Sequence, residues 1–327
     1  MPKINVITAI RDALDEEMAA DERVIVMGED VGKIGGVFRA TEGLWQKYGG
    51  KRVIDMPIAE GAIVGAAIGA ALNGMRPVAE IQFVDYMHPA FDQIVNEAAK
   101  IRYRSAGGFH CPIVVRAPSG GGIHGALYHS QSLEAFFCHS PGLKVVAPAT
   151  PYDAKGLLKA AIRDPDPVVY LESKATYRTV TGEVPVEDYI VPIGVADVKR
   201  RGEHLTFLTY GAMVHEALKA ADRLAGEDID VEVVDLRTLA PLDCEAILAS
   251  VRRTGKVLII HEANKTCGLG AELAALINEE AFEYLDAPIR RLTGPDVPAI
   301  PFASSLEAAF MPSAEKIVQV ARRLAAY

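Results

Sequence analysis

One carboxylate, Glu60, lies at a position where it could take part in chemistry. Glu60 closes a short apolar stretch and precedes an uncharged run of small and apolar residues at 61–72. This run is too short to span a bilayer, so it predicts a buried helix against which other backbone can pack closely. The helix dipole favours a carboxylate in the first turn, and the same position suits a group that transfers protons. Position alone leaves both interpretations open.

Two histidines flank a glycine-rich loop. Residues 119–125 read Ser-Gly-Gly-Gly-Ile-His-Gly, with His124 inside the loop and His129 shortly after it. Such a loop with titratable groups is typical of an active-site edge, although a single loop histidine is more often structural. The glycines also match the G-x-G-x-x-G pattern in form. A dinucleotide site needs a helix that begins inside the motif and an acid about 20 residues later, and the sequence shows neither.

Further polar side chains stand at the ends of predicted strands. Asp30 lies near the end of an apolar run at 23–31, and Asp85 and Tyr86 follow the run at 77–83. In parallel α/β sheets the carboxyl ends of the strands face the ligand, and Glu60 occupies a similar position. Each residue alone has an ordinary structural explanation. Together they predict that several strands deliver polar groups to one edge of a sheet.

Composition limits the class of protein. The 327 residues include 34 basic and 43 acidic side chains, which gives a net charge of −9, and 50% are hydrophobic. No block of Lys and Arg stands out, which disfavours a nucleic-acid partner. The four cysteines lack Cys-x-x-Cys spacing, which is typical of thiols in a reducing compartment. Because the sequence shows no apolar signal segment and no stretch long enough for a membrane helix, we expect a soluble cytoplasmic protein.

Helices and strands alternate along the chain and must position these residues. Helical patterns predict helices at 5–20, 61–72, 89–105, 151–163, 213–225, 243–253 and 269–281. Apolar runs predict strands at 23–31, 53–58, 77–83, 112–116, 143–147, 168–171, 204–210, 231–236, 256–261 and 289–292. Because the strands are apolar throughout, each sheet should be mostly parallel and flanked by helices. The alternation breaks at 175–192, which predicts two α/β domains, 1–186 and 187–327.

Several long stretches carry a family resemblance. They read Met27-Gly-Glu-Asp-Val-Gly, Pro57-Ile-Ala-Glu-Gly-Ala-Ile-Val-Gly, Tyr128-His-Ser-Gln-Ser, Ala149-Thr-Pro-Tyr-Asp-Ala-Lys-Gly and Val234-Asp-Leu-Arg-Thr-Leu-Ala-Pro-Leu-Asp. In this order they resemble the β subunits of thiamine-diphosphate-dependent 2-oxo acid dehydrogenases over essentially the whole chain. The stretch at 124–137 is more similar to the branched-chain type than to the pyruvate type. The resemblance implies a transketolase-like pyrimidine-binding domain at 1–186 and a transketolase C-terminal domain at 187–327.

The resemblance also implies roles for individual residues. Glu60 corresponds to the carboxylate that faces the aminopyrimidine ring of thiamine diphosphate, and Tyr86 to an aromatic side chain that lies against that ring. Gln82 is near the same site in sequence. His129 corresponds to the histidine that acts when the acyl group is transferred to a lipoyl group, where the dithiolane sulfur needs a proton donor. The cofactor performs the carbanion chemistry, and the protein places and polarises it.

A potassium site is implied as well. Carried across residue by residue, it falls on Ile113, Ala161, Ile162, Asp164 and Asp166, mostly through backbone carbonyl groups. The proline between the two aspartates departs from many relatives. Without the resemblance, the stretch at 164–167 is an ordinary turn between a helix and a strand.

One absence implies a partner. The sequence contains no Gly-Asp-Gly followed by Asn, the pattern that holds magnesium on the diphosphate. The resemblance therefore implies an α subunit that carries this motif and holds the magnesium, in a heterotetramer of two α and two β chains on a lipoyl acyltransferase core. We expect the chain to be inactive alone. The alternatives are a pyruvate- or acetoin-type dehydrogenase β subunit and, from another class, a non-catalytic nucleotide-binding or scaffold subunit.

Overall fold

The computed structural model describes every residue from Met1 to Tyr327, and the chain forms two compact units. The first unit comprises Met1–Ser119 and Phe136–Ile193, and the second comprises Gly120–Ala135 and Gly194–Tyr327. The loop that carries both histidines therefore belongs to the second unit. The domain boundary after residue 186 stays a prediction. None of the helices combines the length and the apolar character needed to cross a bilayer.

The first unit is built on a parallel sheet. Its elements between residues 1 and 193 are β1 (Lys3–Asn5), α1 (Val6–Ala20), β2 (Val24–Gly28), α2 (Leu44–Tyr48), β3 (Val53–Asp55), α3 (Glu60–Leu72), β4 (Arg76–Glu80), α4 (Ile101–Arg104), β5 (Val114–Ser119), α5 (Glu134–Cys138), β6 (Lys144–Val146), α6 (Pro151–Arg163), β7 (Val168–Ser173) and β8 (Thr181–Glu183). Six strands of this unit follow the order β6-β7-β5-β4-β2-β3 in one sheet, and all of these neighbours pair in parallel. β1 and β8 form a separate antiparallel ribbon.

Burial explains this arrangement. Every residue of β2 and β5 is buried, as expected for a parallel sheet that is covered on both faces. α1 packs against α6, and their residues Leu14 and Leu157 belong to one hydrophobic core. Both helices begin at a side-chain cap: Asn5 accepts a hydrogen bond in α1 and Thr150 in α6. Such a cap stabilises a helix by about 1 kcal/mol.

The second unit has a smaller, mixed sheet. Its elements after residue 193 are β9 (Asp197–Arg200), β10 (Leu205–Thr209), α7 (Met213–Ala225), β11 (Val231–Asp235), β12 (Thr238–Ala240), α8 (Cys244–Thr254), β13 (Val257–Asn264), α9 (Leu269–Ala281), β14 (Arg290–Gly294), α10 (Ser304–Phe310) and α11 (Ala314–Ala325). The sheet order is β14-β13-β10-β11-β9, in which only β9 is antiparallel to its neighbour. The predicted α/β class with mostly parallel sheets is confirmed.

Helix prediction succeeded where one apolar face repeats. The helices predicted at 151–163, 213–225 and 269–281 coincide with α6, α7 and α9. α11 was missed, although its buried residues follow the same helical spacing. The loop expected at 126–130 contains a 3-10 turn at Ala126–Tyr128.

The helix predicted at 89–105 is present but irregular. Residues 84–104 are helical without a break, as a 3-10 turn at Val84–Ala90, a π turn at Gln93–Glu97, another 3-10 turn at Ala98–Lys100, and then α4. Pro89 lies inside the first turn and has no N–H to donate, which prevents a regular α-helical ladder from starting there. The buried positions keep an apolar pattern, but the hydrogen-bond spacing changes three times along it.

Candidate active site

The carboxyl ends of three adjacent strands meet at one edge of the first unit. β2 pairs in parallel with both β3 and β4, with Gly28 opposite Asp55 on one side and opposite Glu80 on the other. Because parallel strands share direction, residues that follow them lie at the same edge of the sheet. Glu29 follows β2, and Gln82 follows β4. The prediction that several strands deliver polar groups to one edge is confirmed.

Two carboxylates interact at this edge. Glu60 is half-buried at the start of α3. Ala59 is the N-cap residue of this helix, and its side chain accepts no hydrogen bond from the first turn. Glu29 is only 8% exposed. Burial raises the pKa of Glu29, and repulsion from Glu60 and Asp30 raises it further. Glu29 can therefore keep a proton at a pH where an exposed carboxyl has lost it. Sequence reasoning singled out Asp30 on this turn and missed Glu29.

The helix α3 holds the backbone of Glu60 rigidly. A Cβ atom at Gly61 would lie 3.1 Å from the carbonyl oxygen of Pro89, so the glycine lets the helix approach that turn closely. One face of α3 is buried and carries Ile63, Val64, Ala67, Ile68 and Ala71. Another face, with Ala62, Ala66 and Gly69, is exposed although it is apolar. An apolar helix face without cover in the isolated chain is the kind of surface that another chain covers.

Tyr86 belongs to a half-buried aromatic group. Its ring meets the ring of Phe83 edge to face, with centroids 6.0 Å apart. The ammonium group of Lys174 lies 5.7 Å from the Phe83 centroid, a cation–π distance. The backbone N–H of Tyr86 donates to the carbonyl oxygen of Phe83 at 3.0 Å, which fixes the turn. Gln82 lies half-buried immediately before this turn.

A buried ionic network supports the strands below this edge. Arg116 on β5 donates to Glu80 on β4 at 2.5 Å and to both oxygens of Glu172 on β7 at 2.6 and 2.9 Å. The Tyr177 hydroxyl donates to Glu172 at 2.6 Å. Burial lowers the pKa of Arg116, but the two glutamates more than offset this and hold it above its ordinary value. Burial raises the pKa of Glu80, and Arg116 offsets part of that rise.

His129 lies in the second unit, unlike Glu60, Gln82 and Tyr86. It is half-buried and follows the 3-10 turn of the glycine-rich loop. The loop closes on itself because the backbone N–H of Gly120 donates to the carbonyl oxygen of Gln131 at 2.8 Å. The structure therefore places the predicted site residues on both units.

The glycine-rich loop does not have the features of a nucleotide site. No helix begins inside the motif at 120–125. The backbone N–H groups of Gly121 and Gly122 donate to the carboxylates of Glu262 and Glu307, each at 2.9 Å. A phosphate would need such N–H groups free and would be repelled by the carboxylates. The nucleotide-binding alternative is therefore not supported.

The residues of the implied potassium site lie around one turn. The carbonyl oxygens of Ile162 and Asp164 accept hydrogen bonds from Arg76 at 2.8 and 3.2 Å, and Lys144 binds the Asp164 carboxylate at 2.6 Å. Asp166 pairs with Arg102 through Oδ2, while its buried Oδ1 has no hydrogen-bond partner. The unsatisfied Oδ1 of Asp166 is a candidate ligand for a cation, whereas the carbonyl oxygens of Ile162 and Asp164 already bind the Arg76 guanidinium.

Side chains that typically bind other metals do not cluster in this structure. The structure contains no cluster of three or more His, Cys, Asp or Glu side chains that could hold a metal ion. Near the potassium-site turn, burial and the Asp166 carboxylate raise the pKa of the Cys111 thiol to about 12. This thiol is therefore protonated and a poor metal ligand.

Comparison with known proteins finds two family models that match successive parts of the chain. Residues 2–180 match the family model for the transketolase pyrimidine binding domain, and residues 194–317 match that for the transketolase C-terminal domain. A solved structure titled "Split gene transketolase, inactive beta4 tetramer" is similar, with a TM-score of 0.80 and 26% identity over 99% of this chain and 98% of that one. The transketolase-like fold is thereby confirmed.

Two curated relatives narrow the family. The chain is 56% identical to 2-oxoisovalerate dehydrogenase subunit beta of Bacillus subtilis (strain 168) over 327 residues, which covers 100% of both chains. It is 49% identical to the pyruvate dehydrogenase E1 component subunit beta of the same organism over 324 residues, or 99% of each chain. The chain therefore belongs to the transketolase-like β subunits of 2-oxo acid dehydrogenases, enzymes that use thiamine diphosphate.

Proposed function

We propose that this chain, together with an α subunit, decarboxylates a branched-chain 2-oxo acid on thiamine diphosphate. The acyl group then passes to a lipoyl domain of an acyltransferase core. The observation that carries this proposal is the 56% identity to a 2-oxoisovalerate dehydrogenase β subunit over the full length of both chains. A pyruvate- or acetoin-type substrate is the second candidate, because the identity to a pyruvate dehydrogenase β subunit is 49%.

The edge beside Glu60 fits the pyrimidine half of the cofactor. It offers a half-buried carboxylate, a buried second carboxylate in Glu29 and the aromatic ring of Tyr86. In this proposal Glu60 would share a proton with a pyrimidine ring nitrogen, and Tyr86 would hold the ring in place. Gln82 supports them from the turn that follows β4. The cofactor supplies the carbanion chemistry, and these side chains hold and polarise it.

The diphosphate half requires another chain in this proposal. The sequence contains no Gly-Asp-Gly followed by Asn, so the magnesium belongs to the α partner. The exposed apolar face of α3 offers a surface for such a partner. The similar split transketolase chain is titled an inactive β tetramer, which agrees with inactivity of this chain alone. The proposed assembly has two α and two β chains on the acyltransferase core.

Reconstitution tests the function directly. The chain alone should show no thiamine-diphosphate-dependent turnover, whereas the purified αβ complex should decarboxylate 2-oxo acids in the presence of magnesium. Branched-chain 2-oxo acids should give a kcat/KM at least about tenfold above that of pyruvate, which corresponds to about 1.4 kcal/mol of transition-state discrimination. A preference for pyruvate would favour the second candidate. No dependence on thiamine diphosphate would contradict the enzyme function itself.

Replacing His129 with alanine should separate the two half-reactions. We propose that His129 donates a proton during lipoyl acylation, so reductive acylation should fall by about 10²-fold or more in His129→Ala. Decarboxylation, followed with an artificial electron acceptor, should stay within about threefold of the unmodified complex. Equal losses in both half-reactions, or no loss in either, would contradict this role.

The potassium site is also a proposal, formed by Ile113, Ala161, Ile162, Asp164 and Asp166. It is supported by the buried, unpartnered Oδ1 of Asp166. Because a bound ion stabilises the folded state, the thermal midpoint should be higher in potassium than in choline at equal ionic strength.

Two variants provide the controls for the potassium proposal. Asp166→Ala should remove the difference between the two salts. Arg102→Met loses the same ion pair but keeps the carboxylate, so it should retain the difference. Equal midpoints of the unmodified chain in potassium and choline would rule the site out.

A further inference from the structure

The loop that carries His129 is bound by a buried carboxylate from the end of the chain. Glu307 lies on α10 and is 3% exposed. Its Oε1 accepts hydrogen bonds from the backbone N–H groups of Gly122 at 2.9 Å and His124 at 3.2 Å. Its Oε2 lies 2.6 Å from Nδ1 of the His124 ring. One side chain therefore binds three polar groups of the loop.

A second buried carboxylate binds the start of the loop. Glu262 on β13 is 8% exposed, and its Oε2 accepts a hydrogen bond from the backbone N–H of Gly121 at 2.9 Å. Gly120 has a φ of +83°, and a Cβ atom there would lie 2.6 Å from the same Oε2. A Cβ atom at Gly121 would lie 2.9 Å from the sulfur of Met311. The glycines therefore let the loop backbone approach these side chains.

The bound half of the loop is connected to His129 by close contacts. A Cβ atom at Gly125 would lie 2.8 Å from both Cβ and the carbonyl oxygen of His129, so the chain folds back on itself there. His124 and Ala126 have φ values of +58° and +56°, which are unfavourable for residues other than glycine. Such backbone persists only where the surroundings enforce it, and N–H donors to a carboxylate are among the stronger hydrogen bonds.

We infer that Glu307 and Glu262 are positioning residues, which hold the loop in the conformation that presents His129 for acyl transfer. This inference rests on the proposed role of His129 in lipoyl acylation. Both glutamates and the loop belong to the second unit, whereas Glu60 belongs to the first. The two glutamates and the loop N–H groups that they bind form a clamp. Loss of this clamp therefore displaces His129 and lowers acylation, while decarboxylation at the edge beside Glu60 continues.

The test compares variants of Glu307 in the αβ holoenzyme and in the full β chain. Glu307→Ala removes all three contacts, whereas Glu307→Gln keeps an acceptor oxygen for the two backbone N–H groups. Glu315→Ala is the matched control, because Glu315 is an exposed glutamate of the same unit that pairs with Arg223. Three quantities are measured: amide hydrogen exchange at 120–131, decarboxylation with an artificial acceptor, and reductive acylation of a lipoyl domain.

Glu307→Ala should accelerate exchange in the loop by at least about tenfold, because hydrogen bonds to a charged acceptor are lost. Its kcat for acylation should fall about 10- to 100-fold, as expected when a reacting group is misplaced. Decarboxylation should change by less than about threefold. Glu307→Gln should restore most of the acylation rate, and Glu315→Ala should match the unmodified complex in all three measurements.

A second variant reaches His129 without touching the carboxylates. Gly125→Ala leaves both glutamates in place but introduces a methyl group against the His129 backbone. It should lower acylation, while exchange of the N–H groups of Gly121, Gly122 and His124, which donate to the glutamates, changes little. This result would tie the rate to the position of His129 and not to the stability of the second unit.

The outcomes separate two kinds of failure. Unchanged loop exchange in Glu307→Ala overturns the clamp, whatever the activities are. Faster exchange without loss of acylation, in a system where His129→Ala does lose acylation, overturns the positioning role. If His129→Ala itself keeps full acylation, the proposed function of His129 fails, and the exchange data still report whether the clamp exists.

Discussion

Replacing Glu60 with glutamine should lower the turnover of the αβ complex by about 10²-fold or more. Glutamine keeps the size and the hydrogen-bonding capacity of the side chain but cannot release or take up a proton. A positioned acid or base contributes about 10²- to 10⁴-fold to a rate, so a loss within this range is expected for a carboxyl that polarises the cofactor. The loss should appear in decarboxylation and in acylation alike, because both depend on the activated cofactor.

Binding and assembly should survive the Glu60→Gln substitution. The helix that Glu60 begins is fixed by its buried face, which the change does not touch. Calorimetry should therefore show thiamine diphosphate bound within about tenfold of the original affinity, and the αβ complex should elute unchanged. Glu42→Gln, an exposed glutamate of the same unit, is the matched control and should keep full activity. Full activity of Glu60→Gln would remove Glu60 from the chemistry.

Local pattern was enough to predict much of the fold and the edge that carries Glu60. The apolar strands and the repeated helical faces give the alternation of a parallel sheet, and in such a sheet the strand ends meet at one edge. The position of Glu60 follows from its place between a strand and a helix. Its role came from the resemblance and not from this geometry.

Other parts of the site depend on contacts that sequence spacing does not reveal. Glu307 lies 183 residues from His124 along the chain, so no local pattern connects them. Glu29 stands beside Asp30, and only burial tells the two apart. The three turns before α4 could not be predicted because an apolar period is compatible with several helical hydrogen-bond spacings.

Replacing Arg116 with methionine should destabilise the first unit by about 3–5 kcal/mol. Arg116 is 1% exposed, and its loss leaves Glu80 and Glu172 buried without their cation, which is the costly way to break a buried ion pair. For a unit of this size the thermal midpoint should fall by roughly 10 °C. Arg223→Met breaks an exposed pair with Glu315 and should leave the midpoint unchanged within error. Equal midpoints for the two variants would contradict the prediction.

Removing the charges of the two buried glutamates as well should restore much of the stability that is lost in Arg116→Met. A triple variant that adds Glu80→Gln and Glu172→Gln to Arg116→Met leaves no charge of this network buried, so its midpoint should lie above that of the single variant.

Lowering the pH should also reduce the loss of stability in Arg116→Met. Burial already raises the pKa of Glu80 above its ordinary value of 4.5, and without Arg116 the rise is larger. A carboxyl with a raised folded-state pKa destabilises the fold as pH increases from the unfolded pKa to the folded one. The gap between the unmodified chain and Arg116→Met should therefore narrow between about pH 7 and about pH 5. A gap that stays constant over this range would show that the lost stability comes from packing and not from the two stranded carboxylates.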